Sequence, residues 1–208
     1  MNDDVLGRVF AHRLVPVVVL DDAADAGALG EALVAGGLPV AEVTFRTAAA
    51  ADTIRTLSRR GDLLVGAGTV RTEAQVDDAL AAGAQFVVSP GLAEPVIHRC
   101  RAAGVPVLPG AVTATEVQRA TELGLQVVKF FPAETSGGAK AIAALSAPFG
   151  DVGFVPTGGI GPANLAPYLA LGCVRAVGGS WMVPRDVVGA RDVDTLTDLV
   201  RDAVALTT

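Results

Sequence analysis

Lys129 stands in the run Val127-Val128-Lys129-Phe130-Phe131-Pro132. Such β-branched and aromatic residues read as a strand. Burial disfavours an ammonium group. A lysine amine without its proton is a nucleophile that forms Schiff bases with ketones. A second strand-like run reads Val40-Ala41-Glu42-Val43-Thr44-Phe45-Arg46. Side chains alternate along a strand, so Glu42, Thr44 and Arg46 share one face and Val43 and Phe45 the other. The apolar face is expected to pack on helices. Charges on the inner face are costly unless they are paired or functional. The residues leave open a structural Glu42–Arg46 pair, a Lys129–Glu42 pair, a lysine whose head reaches water, and a carboxylate that moves protons for the lysine. Two inward charges on separate strands favour a reactive site.

Glycine-rich turns follow several other apolar runs. Gly66-Ala67-Gly68-Thr69 permits close backbone approach and offers a hydroxyl. Ser89-Pro90-Gly91 and Pro109-Gly110 fix loop geometry. Pro156-Thr157-Gly158-Gly159-Ile160 and Gly178-Gly179-Ser180 expose backbone N–H groups. With a short helix starting after Gly159, these two turns can hold a dianionic phosphate. The plain alternative is a pair of tight turns without a ligand. Ser136-Gly137-Gly138 is a further flexible stretch that could border the same pocket.

These residues need a scaffold that brings several strand ends together. Eight strand-like runs begin at Val15, Val40, Leu63, Phe86, Val105, Val127, Phe154 and Ala176, on average 23 residues apart. Between them lie Ala/Leu-rich stretches of helical spacing, and the chain has 37 alanines. Glycines close the helical stretches and Thr72 and Thr113 open two of them. Eight strand–helix units with right-handed crossovers imply an α/β fold, a (β/α)8 TIM barrel. The chain is shorter than the ~250 residues usual for that fold, so its loops must be tight. A flavodoxin-like or Rossmann sheet is the alternative. In the barrel, segment 1–14 is expected to form an N-terminal helix across the floor. The tail after Ser180 is expected to supply the last helix. Residues 1–208 read as one domain.

Composition narrows the partners. The 208 residues are 51% hydrophobic and 18% charged, with 16 Lys+Arg against 22 Asp+Glu and a net charge of −6. This balance disfavours a nucleic-acid or anionic-membrane surface. The longest uncharged apolar run, Ala32–Ala41, is too short to span a bilayer. The first residues lack the pattern of a signal peptide. Two cysteines, Cys100 and Cys173, form no disulfide framework, and two histidines, His12 and His98, form no metal site. These four residues and Trp181 read as structural. A cytoplasmic protein without metal or cofactor is expected.

The ordered set Glu42-Val43-Thr44-Phe45-Arg46-Thr47, Gly66-Ala67-Gly68-Thr69-Val70, Ser89-Pro90-Gly91, Lys129-Phe130-Phe131-Pro132-Ala133-Glu134, Pro156-Thr157-Gly158-Gly159-Ile160 and Gly178-Gly179-Ser180-Trp181 resembles the 2-keto-3-deoxy-6-phosphogluconate (KDPG) aldolases. That family includes the bifunctional 4-hydroxy-2-oxoglutarate (KHG) aldolases. The match runs through nearly the whole chain, and KFFPAE and PTGGI are its most specific parts. The resemblance implies a metal-free class I aldolase that cleaves KDPG into pyruvate and glyceraldehyde 3-phosphate. It assigns the Schiff base to Lys129 and proton shuttling to Glu42. Arg46 and Thr69 would hold the pyruvyl carboxylate, and Pro90 and Phe131 would wall the pocket. Thr157 would meet the sugar hydroxyls. Gly158, Gly159, Gly179 and Ser180 would cradle the phosphate. The family is usually a homotrimer.

Two loops depart from the family pattern. Gly110-Ala111-Val112-Thr113 and Leu20-Asp21-Asp22 stand where relatives often carry basic residues, so the charge of the mouth is open. Thr157 inclines the reading to the gluconate over the galactonate epimer. Rival readings are a phosphate-binding isomerase or synthase without a covalent lysine, a sugar-phosphate binding protein, and an aldolase preferring 4-hydroxy-2-oxoglutarate.

Overall fold

Strand and helix alternate along the chain. The computed structural model describes residues 3–207. The strands are β1 (Leu14–Val18), β2 (Val40–Thr44), β3 (Leu64–Gly68), β4 (Phe86–Val88), β5 (Val107–Leu108), β6 (Val127–Phe130), β7 (Gly153–Pro156) and β8 (Val177–Gly179). All pairings are parallel. Six strands form a curled sheet in the order β5-β4-β3-β2-β1-β8, and β6 pairs with β7. Bridges Gly110–Lys129 and Thr157–Gly178 link the pair to the two edges of the six. The fold is (β/α)8-like. Several strands are shorter than the apolar runs that encode them, and in β4 to β8 Pro or Gly stands at a run end, where it weakens the ladder.

Local chemistry sets the helices α1 (Asp3–Ala11), α2 (Ala26–Ala35), α3 (Ala50–Ser58), α4 (Glu73–Ala81), α5 (Glu94–Ala102), α6 (Ala114–Glu122), α7 (Gly138–Ser146), α8 (Leu165–Leu169), α9 (Arg185–Gly189) and α10 (Val193–Ala205). In α2, Leu29, Ala32 and Leu33 are buried at helical spacing, and Gly37 just beyond has φ +85°. The Thr72 hydroxyl accepts the Gln75 N–H and caps α4. Thr113 and Glu116 form both halves of a capping box on α6. The tail differs from expectation. It forms two helices, because Arg191 turns with φ +56° and the Asp192 carboxylate caps α10 at Thr195. α10 then packs on α2.

Register divides the core into two layers. Val43, Val65, Ala67, Phe130 and Phe154 are buried on the outer face with helix residues such as Leu33, Ile54, Val117 and Ile142. Cross-strand partners share a face, so the pairings Glu42–Gly66, Thr44–Gly68, Lys129–Val155 and Gly110–Lys129 place these residues toward the interior. Glycines there are spaces for neighbours. A Cβ at Gly66 would lie 2.2 Å from the Phe86 ring, and one at Gly68 would lie 2.4 Å from Glu42 Oε1.

At the opposite, N-terminal ends of the strands, Leu6 and Phe10 of α1 border a concavity of 830 Å³ with Val107, Val127 and Arg175. On its other side, Arg8 and His12 lie beside Pro39, Leu63 and Gln85. Among the described residues no helix is long and apolar enough to cross a membrane. None of their His, Cys, Asp and Glu side chains form a group of three that could hold a metal ion.

At the seam from β4 to β6 two backbone segments approach closely. A Cβ at Gly110 would fall 2.1 Å from the Pro90 carbonyl oxygen, whereas nothing lies within 4 Å of one at Gly91. Gly110→Ala is expected to lower unfolding free energy by about 1–3 kcal/mol or more. Gly91→Ala is expected to stay within about 0.5 kcal/mol of the parent. Urea titrations of both variants check this.

Candidate active site

Lys129 enters the barrel from β6 and Glu42 from β2, 87 residues earlier. The Lys129 ammonium donates to Glu42 Oε1 at 2.9 Å. Both residues are buried, 5% and 2% exposed. Glu42 therefore pairs with Lys129 across the interior, and the alternative Glu42–Arg46 pair is not formed. Glu42 has room because Gly68 lacks a side chain beneath it. Phe131, two residues past the lysine, places its ring centroid 5.5 Å from Lys129 Nζ. At that distance the ring attracts the positive charge of the ammonium.

Arg46 lies just past β2 and is exposed. Its Nε donates to the Thr69 hydroxyl at 3.3 Å. Thr69 adopts φ +58°, a conformation strained for a β-branched residue. The turn holds its hydroxyl beside the guanidinium. An exposed guanidinium and a hydroxyl side by side form a donor set suited to a small carboxylate. Pro90 follows β4, its carbonyl packed on Gly110.

The turn after β7 differs from its neighbours in where its backbone groups point. The Gly158 carbonyl accepts from the Glu134 N–H at 3.1 Å, and the Gly159 carbonyl accepts from Asn164 Nδ2 at 3.0 Å. Asn164 Oδ1 in turn accepts the Gly161 N–H at 2.8 Å. Among the described residues, the N–H groups of Gly158 and Gly159 find no acceptor. Their φ values are +105° and +78°, open to glycine alone without strain. The carbonyls are thus turned away and the donors left free, as an anion site requires. The helix expected directly after Gly159 begins only at Leu165, so the loop itself supplies the donors. Thr157 is 6% exposed, and its hydroxyl has no partner among the described residues. A Cβ at Gly178 would lie 2.3 Å from that hydroxyl oxygen. Ser180 is exposed at the end of β8. Trp181 packs on Gly179, and its buried indole N–H is also unpartnered among the described residues.

Residues 6–199 match the family described as KDPG and KHG aldolase. The chain belongs to this family. Among relatives of this aldolase, the 2-dehydro-3-deoxy-phosphogluconate aldolase of Treponema pallidum is 49% identical over 195 residues, covering 93% of each chain. The KHG/KDPG aldolase of Escherichia coli K12 is 46% identical over 192 residues, 92% of this chain and 90% of the relative. Among solved structures, the 2-keto-3-deoxy-6-phosphogluconate aldolase of Zymomonas mobilis ZM4 with 3-phosphoglycerate matches with a TM-score of 0.93. It is 40% identical, over 99% of this chain and 97% of that one. The KDPG aldolase of Legionella pneumophila, with pyruvate captured at low pH as a covalent carbinolamine intermediate, matches with a TM-score of 0.91. It is 39% identical, over 94% of this chain and 96% of that one.

In this KDPG/KHG aldolase the acidic turn after β1 has an answer elsewhere in the ring. Asp21 pairs with Arg185 of α9 at 2.7 Å, and Asp25 pairs with Arg191 at 2.7 Å. Sequence reasoning did not find Asn164 or the bond from the Glu134 N–H. A glycine turn followed at short range by Asn is a capping signal that could have found the first. The second depends on β6–β7 register, which no local pattern carries.

Removing one member of a buried ion pair leaves an uncompensated charge. Lys129→Met is expected to lose about 3 kcal/mol or more of stability. The double variant Lys129→Met/Glu42→Gln is expected to regain most of it. Urea unfolding of the single and double variants checks this coupling.

Proposed function

We propose that this chain is a class I aldolase that cleaves 2-keto-3-deoxy-6-phosphogluconate to pyruvate and glyceraldehyde 3-phosphate, with Lys129 as the covalent nucleophile. The observation that carries the reading is the buried Lys129–Glu42 contact of 2.9 Å. In a dry interior, passing one proton across that contact turns an ion pair into a neutral pair with no change in net charge. The amine so released attacks the C2 ketone and forms a carbinolamine. Glu42 delivers the proton it received to the departing hydroxyl, so loss of water leaves an ionised Glu42 and a protonated imine, which is an electron sink. Glu42 takes the proton of the C4 hydroxyl, the C3–C4 bond breaks, and its electron pair moves into an enamine. Glyceraldehyde 3-phosphate leaves. Glu42 returns a proton to C3, and water releases pyruvate and the free lysine. One carboxylate thus serves as base and then acid.

Arg46 and Thr69 hold the pyruvyl carboxylate through their adjacent donors. Phe131 and Pro90 wall the pocket. The free hydroxyl of Thr157 meets a sugar hydroxyl. Gly158, Gly159, Gly179 and Ser180 cradle the phosphate, and fixing that remote group positions the reacting carbons. Cleavage of 4-hydroxy-2-oxoglutarate fits the same lysine chemistry, and the name of the Escherichia coli relative favours it as a second activity. That smaller substrate has no phosphate and would leave the glycine cradle empty.

The same reading treats residues 1–208 as one (β/α)8 barrel domain that works in the cytoplasm as a homotrimer. Support for α1 closing the barrel floor comes from the residues beside it. Its Phe10 borders the starts of β5 and β6, and its Arg8 borders the start of β3. The family resemblance supports the trimer, which light scattering would test.

Incubation with pyruvate and borohydride is expected to fix a reduced adduct on Lys129, read by peptide mass. Lys129→Ala is expected to abolish adduct and turnover together. Glu42→Gln is expected to leave adduct formation detectable but slow. Full cleavage activity in Lys129→Ala would sink the mechanism.

A further inference from the structure

Glu134 and Tyr168 form a contact that the mechanism above does not use. The Tyr168 hydroxyl donates to Glu134 Oε1. Tyr168 is 1% exposed and sits on α8, downstream of the glycine turn. Glu134 follows β6 and lies upstream of the turn in space, at the end of the segment that carries Lys129 and Phe131. Burial first, and then the carboxylate, push the Tyr168 hydroxyl above its ordinary titration range.

Around this contact the turn is gripped on two sides. The Glu134 N–H holds the Gly158 carbonyl at 3.1 Å, and the Ala133 N–H holds the Thr157 carbonyl at 2.8 Å. The Glu134 side chain lies against the turn, since a Cβ at Gly159 would be 2.8 Å from Glu134 Cβ and Cγ. Asn164 holds the other end through the Gly159 carbonyl. Two consecutive positive-φ glycines have more freedom to lose than any other dipeptide. They keep a fixed set of free donors only if their surroundings hold them. The tyrosine hydroxyl in turn fixes the Glu134 side chain through Oε1.

We infer that Glu134 and Tyr168 are a positioning pair that keeps the Gly158–Gly159 turn open and oriented for the substrate phosphate. The inference rests on the phosphate cradle proposed above and adds two residues that touch neither the reacting carbons nor the lysine. The pair acts on anchoring, so its loss falls on phosphorylated substrates.

Steady-state kinetics on KDPG and on its unphosphorylated counterpart, 2-keto-3-deoxygluconate, test it. For Tyr168→Phe, KM for KDPG is expected to rise about 3- to 10-fold, the scale of one hydrogen bond. Its kcat is expected to change less than about twofold, the signature of lost binding rather than lost chemistry. The kcat/KM for the unphosphorylated acid is expected to stay within about twofold, and the borohydride-trapped pyruvate adduct on Lys129 is expected to form at the parental rate. Glu134→Ala, at an exposed position, is expected to show the same split and covers the case in which Tyr168→Phe folds poorly. Equal losses on both substrates, a loss confined to kcat, or no change in either variant would overturn the inference. A parent enzyme that uses both acids equally well would overturn the cradle and the inference together. A parent that prefers KDPG, with variants that keep the full preference, would overturn the inference alone.

Discussion

An ammonium and a carboxylate facing each other inside an apolar ring impose the main constraint on this protein. Taking two charges out of water costs several kcal/mol each, and only close mutual contact offsets it. The contact needs β2 and β6 on opposite sides of a narrow interior. It needs Gly68 under Glu42, because any larger residue would occupy the same volume as the carboxylate. It needs the Phe131 ring over the amine. The outer layer of Val, Ile, Leu and Phe side chains keeps the ring rigid enough to hold these positions. The pair is thus both a structural cost and the place where a proton can move without creating a new charge.

Much of this frame was legible in the residues. The eight apolar runs, their glycine and proline ends and the alanine-rich segments between them carry the strand–helix alternation. Period-2 alternation already put Glu42 on an inner face. It did not identify the partner, because Lys129 lies 87 residues away and the contact exists only once the strands curl. Local pattern therefore left a Glu42–Arg46 pair open as an alternative. In the structure Arg46 sits outside the buried layer, beside Thr69. The split of the C-terminal tail was also hidden, since it depends on a positive φ at Arg191, a residue type with no preference for that conformation.

The glycine turn after β7 shows the same boundary between local and distant information. That Gly158 and Gly159 free the backbone follows from their identity. Which way the carbonyls face does not, because Asn164 and the Glu134 N–H decide it from either side. The acidic turn after β1 is a related case. Read alone, Asp21 makes the mouth more negative, yet Arg185 from the last unit meets it. Both groups are well exposed, so the pair adds little stability. Its effect is on the local charge of the rim.

The β6 segment has one more property. From Lys129 to Glu134 the chain is stitched to β7 and its turn by the strand pairing and, beyond it, by Thr157 N–H to the Phe130 carbonyl at 3.0 Å, Ala133 N–H to the Thr157 carbonyl at 2.8 Å, and Glu134 N–H to the Gly158 carbonyl at 3.1 Å. The amine and the turn donors are therefore two marks on a single stiff gauge. Under the proposed function such a gauge would measure molecular length: an acid too short to touch both marks would gain only one of them, however well its head group fits. On that reading, discrimination by size is built into the spacing of six consecutive residues.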